Sequence, residues 1–279
     1  MIPPGIGMVL YGFLANVSIG RLFLAGIVPG ILLCLSLMLV VHMVARRRNY
    51  LPSRETRASW GERGIALRES AWALGLPVVI VGGIRYGFFT PTEAGAIAVV
   101  YALIVGLFIY RDLAFSKLPA VLSEAVLATA IVMLIICAAQ AFGFYMSWER
   151  IPQQAGEILI GITENPLLLL LLINVFLVLV GMLLEGSAAL ILLTPLLAPL
   201  ADRIGVDPVH FGVVMVVNLT IAGVTPPVGT LIYSTTGIVG VKVEAFVRES
   251  LPMLIALFAV LLLVTMVPQI SLFLPNLLM

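Results

Sequence analysis

Eight polar side chains, Asn218, Thr220, Thr225, Thr230, Tyr233, Ser234, Thr235 and Thr236, surround Pro226-Pro227 within a strongly apolar stretch. Oxygen donors of this kind suit a hard cation. A proline has no backbone donor and clashes with the preceding turn, so a helix must break at the pair. The break frees carbonyls between Ala222 and Thr225, which enlarge the ligand set. A half-helix starting near Pro227 turns its positive end toward the break, a resting place for a carboxylate. Asn218, Thr225, Pro226, Pro227, Gly229 and Thr230 are therefore candidate ion- or substrate-binding residues. The plainer alternative is a proline kink healed by Thr and Ser hydroxyls, with no ligand.

A second cluster is Leu184-Glu185-Gly186-Ser187-Ala188, between two apolar runs at 166–184 and 187–201. If both runs crossed fully, their connection would have no turn outside the membrane. A re-entrant hairpin fits better. The small residues Gly186 and Ser187 let two half-helices approach closely, and Ser187 is a possible cap for the second. Glu185 has two readings: a functional acid in an apolar region, or a structural acid at a helix N-terminus.

These clusters need membrane-spanning elements to hold them. The chain is 62% hydrophobic with 10% charged residues, against about 25% in soluble domains. Its mean hydropathy is +1.19. This is the composition of an all-α polytopic membrane protein. The net charge of +1 implies no bulk electrostatic partner. Lys117 and Lys242, the two lysines, lie outside any GxxxxGK[ST] loop, so no ATP site is expected here. No HExxH, GxSxG or paired intramembrane acids are present, and no enzyme activity is expected. His42 and His210 are isolated, and Cys34 and Cys137 are expected to be buried packing residues.

Residues 1–45 read as a half-helix and one span, and 46–69 as a polar linker. The linker holds Arg46, Arg47, Arg48, Arg54, Arg57, Arg63 and Arg68 and is expected in the cytoplasm. A lipid-headgroup or nucleic-acid patch is the alternative. It has less weight because Glu55, Glu62 and Glu69 interrupt the charge. Residues 70–165 hold spans at 70–89, 91–110 and 120–147, then an exterior amphipathic connection at 148–165. Residues 166–241 hold the hairpin and the broken helix, and 242–279 a last span over 251–274. Thr90, Pro91 and Glu93 form a capping box for the 91–110 span. Gly83 and Gly87 form a GxxxG expected to pack helices.

The proline pair has a counterpart. At an offset of 223, Pro3-Pro4 matches Pro226-Pro227, Phe23 matches Phe246, and Pro29 matches Pro252. Each pair precedes a half-helix, a polar turn and a long span with proline near its start. The counted spans run the two copies in opposite directions, an inverted repeat typical of secondary transporters. Pro3, Pro4 and Gly5 are therefore also candidate site residues.

Three stretches resemble the large permease subunit of tripartite ATP-independent periplasmic (TRAP) transporters. They are Ile2-Pro3-Pro4-Gly5-Ile6 through Pro29-Gly30; Gly83-Ile84 through Glu93-Ala94; and Gly181-Met182-Leu183-Leu184-Glu185 through Asp207-Pro208 to Thr225-Pro226-Pro227-Val228-Gly229-Thr230. The resemblance implies an elevator-type, multi-pass permease of the bacterial inner membrane. It implies import of organic acids, C4-dicarboxylate- or sialic-acid-like, with sodium as coupling ion and no other cofactor. Sodium is expected near Gly223, Val224, Thr225 and Gly229. The implied partners are a periplasmic substrate-binding protein, a small four-span membrane subunit, the organic acid and membrane lipid, with no nucleic acid. Gly5, Leu231 and Glu185 depart from the family's usual Ser, Asn and Asp. The family's first repeat extends before its first Pro-Pro, so the chain is expected to be a C-terminal portion, with an incomplete first repeat. Two other functions fit the composition: a carrier of dicarboxylates or oxyanions needing no binding protein, and a non-transporting membrane scaffold.

Overall fold

The computed structural model describes residues 5–50, 57–150, 154 and 165–279. Pro3, Pro4 and most of the expected exterior connection lie outside the described residues. The helices are α1 (Ile6–Leu14), α2 (Ile19–Arg47), α3 (Trp60–Arg85), α4 (Pro91–Ile104), α5 (Leu118–Trp148), α6 (Pro166–Leu183), α7 (Gly186–Arg203), α8 (Pro208–Ala222), α9 (Thr230–Val239), α10 (Val243–Met266) and α11 (Gln269–Leu278). A π-helical turn, Val105–Ile109, continues α4. Among the described residues there is no strand. Six stretches among the described residues are long and apolar enough to cross a membrane: α2, α3, α4 with its π turn, Phe115–Phe142, α6 and α10. The expected all-α polytopic class is thus observed.

The chain divides into two compact units, residues 1–42 with 132–279, and residues 43–131. In the first, α8 is the centre. Thirteen of its fifteen residues are buried, and it packs on α1, α6, α7, α10 and α11. Its start is set by Asp207, whose carboxylate accepts from the N–H groups of Val209 and His210 at 2.8 and 3.2 Å, with Pro208 at the first helical position. At fifteen residues it is about 22 Å long, too short for a hydrocarbon core of about 30 Å.

Glycines let neighbours reach this helix. A Cβ on Gly181 of α6 would sit 2.7 Å from Cβ of Ala222, so these helices meet nearly backbone to backbone. Gly212 leaves the notch that receives the Tyr11 ring. The Tyr11 hydroxyl donates to the Pro208 carbonyl at 2.9 Å, and its ring meets Phe211 edge-on at 6.3 Å.

Polar groups tie the same bundle. Asn218 Nδ2 donates to Asn174 Oδ1 at 2.7 Å and to its carbonyl at 2.9 Å. Asn174 Nδ2 donates to the Leu170 carbonyl and to Thr265 Oγ1. Buried amides are tolerated only with such partners. His210 is buried, with Nδ1 2.7 Å from Ser271 Oγ.

In the second unit the capping box of Thr90 and Glu93 is present as expected. An equivalent box, Ser59 with Glu62, starts α3 at Trp60. Residues 60–69 are therefore helical rather than linker, because the cap outweighs their polarity. The pair Gly83 and Gly87 does not pack helices. Gly87 lies beyond α3 at φ +72, and Gly83 makes room for the Phe89 ring. Cys34 and Cys137 are exposed, not buried. The expected single span at 251–274 is two helices, α10 and α11. They part at Pro268, which cannot donate to a continuing ladder.

Gly212→Val would overfill the Tyr11 notch and is expected to cost about 1–3 kcal/mol, seen as a lower Tm in detergent. Tyr11→Phe, losing one hydrogen bond, is expected to cost about 1 kcal/mol. Equal Tm values for Gly212→Val and the parent would refute the interlock.

Candidate functional site

The break in the central helix runs over Gly223–Gly229, and α9 restarts at Thr230. This is three residues later than the expected restart near Pro227. The peptide bond Pro226-Pro227 is cis. The interruption is closed by specific bonds. The Gly229 N–H donates to the Met182 carbonyl at 2.9 Å, and the Leu231 N–H donates to the Gly223 carbonyl at 3.0 Å. Gly229 has φ +44, and a Cβ there would lie 2.8 Å from the Thr225 carbonyl oxygen. Only glycine relieves both constraints.

The bond to Met182 joins the break to the hairpin. Helices α6 and α7 contact each other and are joined through Leu184 and Glu185. Of the two readings of Glu185, the capping geometry is observed. Its Oε2 accepts from the Ala188 N–H at 2.9 Å, so Glu185, not Ser187, is the N-cap of α7.

A cleft of about 330 Å³ lies where these parts meet. Its walls include Gly5, Ile6, Gly7 and Met8 of the α1 start, Glu185, Gly186 and Ser187 of the tip, Thr220 and Gly223 at the break, and Thr230, Leu231 and Ser234 of α9. Leu190, Val216 and Leu219 supply apolar wall. The N-terminal ends of α1, α7 and α9 therefore face one space. Each such end carries a partial positive charge, partly met at α7 by the Glu185 carboxylate on the Ala188 N–H and at α9 by the Gly223 carbonyl on the Leu231 N–H.

The hydroxyls have a matching polarity. Thr220 Oγ1 donates to the Val216 carbonyl at 2.8 Å, and Ser234 Oγ to the Thr230 carbonyl at 3.4 Å. A hydroxyl whose proton is used this way presents lone pairs elsewhere. The cleft thus offers acceptor oxygens beside helix N-termini.

Of the sequence-predicted residues, Gly5, Glu185, Gly186, Ser187, Gly223 and Thr230 line the cleft. Thr225 is buried and outside the lining, its Oγ1 donating to the Ile221 carbonyl at 2.7 Å. Gly229 is buried, Val224 and Pro226 half-buried and Pro227 exposed. Asn218 is fully buried in the packing against Asn174, away from the cleft lining. Sequence reasoning missed Ile6, Gly7 and Met8 as wall. It also missed Asn174, whose signal was a lone amide inside the apolar helix α6.

A broken helix whose first half is mostly buried, docked on a hairpin tip among six membrane-length helices, defines a polytopic membrane protein of the broken-helix type. Residues 1–270 match the family described as the DctM component of the tripartite ATP-independent periplasmic transporter, and the chain belongs to that family. It is 41% identical, over 99% of its length, to the sialic acid TRAP transporter large permease protein SiaM of Vibrio cholerae. It is 42% identical, again over 99%, to the C4-dicarboxylate TRAP transporter large permease protein DctM of Pseudomonas aeruginosa. The isethionate TRAP transporter permease protein DctMQ of Oleidesulfovibrio alaskensis is 40% identical over 98% of the chain and is itself covered to 43%. The chain spans 64% of the length of each of the first two relatives. It is a multi-pass protein of the inner membrane.

Gly229→Ala forces an L side chain to positive φ against a carbonyl and is expected to cost about 1–3 kcal/mol. Thermal unfolding should show the loss. A Tm matching the parent would mean that Gly229 does not need its backbone geometry.

Proposed function

We propose that the chain is the permease part of a secondary, sodium-driven importer of organic acids. A periplasmic binding protein delivers the acid, and a small four-span membrane subunit completes the membrane complex. The observation that carries this reading is the cleft, where three helix N-termini meet acceptor oxygens. The helix ends suit a carboxylate or sulfonate. The acceptor oxygens, with carbonyls of the Gly223–Thr225 turn, suit sodium. The relatives are named for sialic acid, C4-dicarboxylates and isethionate, and each of these is an anion. The potential is worth about 2.3 kcal/mol per 100 mV for each net positive charge moved inward, so sodium ions in excess of the acid's own negative charges drive accumulation without ATP. In this reading the hairpin, α8, α9 and α1 move together as an elevator, and the two proline pairs belong to inverted repeats.

The test uses the complex purified from its native host through a tag on this chain, reconstituted in proteoliposomes. Radiolabelled acid uptake should require both an inward sodium gradient and the soluble binding protein. Glu185→Ala and Thr225→Ala should each raise the sodium concentration for half-maximal uptake by about tenfold, the worth of one charge-assisted or buried contact. Unchanged uptake and sodium dependence in both would sink the site assignment. Uptake without the binding protein would point to an independent carrier. Loss that follows only failed complex assembly would point to a scaffold.

A further inference from the structure

In the second unit, the first turns of α3 and the π turn after α4 border an open cleft of about 560 Å³, lined by Ile65, Arg68, Glu69, Trp72, Ile109 and Tyr110. Two tyrosine hydroxyls build it. Tyr101 donates to the Trp72 carbonyl at 2.7 Å, and Tyr110 to the Glu69 carbonyl at 2.6 Å. On a regular α-helix, nine steps would put Tyr110 roughly 180° away from Tyr101. The π turn at Val105–Ile109 holds more residues per turn and swings Tyr110 back toward α3.

Its depth in the bilayer follows from the helix lengths. Helix α3 has 26 residues, about 39 Å, which exceeds the hydrocarbon thickness of about 30 Å. Arg68 and Arg85 are separated by about 26 Å along it and bracket the apolar part. The paired stretch Pro91–Ile109 gives an independent bracket of about 28 Å, with Arg111 just beyond. Both place the cleft at the edge of the hydrocarbon, with Trp60 and Arg63 one or two turns further out. Trp60 is 85% exposed, with the Arg63 guanidinium 4.9 Å from its ring centroid. An amphipathic aromatic presented that way belongs among lipid headgroups.

The polar lining then names the ligand. Arg68 and Glu69 are successive residues of one helix and do not face each other. Neither side chain has a hydrogen bond or ion pair among the described residues. A purely anionic headgroup would be drawn to Arg68 but repelled by Glu69. A headgroup carrying a phosphate and an ammonium satisfies both, with Trp72 and Tyr110 as aromatic flanks for the cation. Ile65 and Ile109 supply the apolar lining at the level where acyl chains begin.

We infer that the cleft between α3 and the π turn is a binding site for a phosphoethanolamine-headed lipid, with Arg68 taking the phosphate and Glu69 the ammonium. The test is native mass spectrometry of the delipidated chain in a non-ionic detergent, titrated with phosphatidylethanolamine or phosphatidylglycerol of identical acyl chains. The parent should bind the ethanolamine lipid about tenfold more tightly, the worth of one charge-assisted contact. Arg68→Ala should weaken both lipids by about tenfold. Glu69→Gln should abolish the preference while leaving glycerol-lipid binding intact or stronger, a change that misfolding does not mimic. With Trp60→Phe and Trp148→Phe leaving Trp72 alone, brominated phosphatidylethanolamine should quench its fluorescence. Equal or tighter binding of the glycerol lipid by the parent would overturn the assignment. So would an unchanged preference in Glu69→Gln, or an unquenched Trp72.

Discussion

One hydrogen bond, from the Gly229 N–H to the Met182 carbonyl, fixes where the broken helix meets the hairpin. A membrane helix that stops early leaves carbonyls and amides without partners, and at bilayer depth water does not supply them. Here the hairpin does. Gly181 lets α6 approach Ala222 nearly backbone to backbone, so the Met182 carbonyl arrives within reach of the restarted chain. Leu231 closes the other side on Gly223. With those groups satisfied, the remaining N-terminal ends of α1, α7 and α9 are free to face a common cleft. Its polarity is a remainder: what the closure of the break did not consume.

The asparagine pair serves the same joint from behind. Asn218 lies one turn before the break, and its amide clamps α6 through Asn174 while Thr265 brings in α10. Three helices are therefore bound by polar contacts at the level where packing alone would let them slide. In lipid, apolar side chains give little direction to helix association, and interhelical amide bonds supply it.

Much of this could be read from the chain. Pro226-Pro227 forces a break, since chemistry alone forbids a continuous ladder there. The two-residue connection at Glu185 and Gly186 leaves room for nothing but a tight hairpin. Thr90, Pro91 and Glu93 are a local cap, and local signals transfer well from sequence. What was not legible was long-range. Asn218 is a candidate ligand from its type alone; its Nδ2 is engaged by Asn174, 44 residues away, while its Oδ1 has no partner among the described residues. Gly83 and Gly87 carried the spacing of a helix-packing motif, yet α3 ends before Gly87 and the Phe89 ring fills the notch. The start of α1 entered the cleft wall unannounced, since Ile6, Gly7 and Met8 bear no polar signal. The polarity of 60–69 suggested a linker because hydropathy outvoted the Ser59 cap.

The Tyr11 ring seated against Gly212 also bears on how the protein is made. Its hydroxyl bonds a carbonyl 197 residues further along the chain. Ribosomes deliver α1 long before α8, so α1 enters the bilayer with its notch partner still unsynthesised. Non-local contacts of this kind slow folding. Helix α1, nine residues long, packs on α7 as well as α8, so its place in the bundle is fixed only once both have been made. The central helix arrives late and is almost wholly buried, and α10 and α11 pack on it after that. Assembly of the cleft is thus tied to the arrival of α8 and α9, which supply its remaining walls.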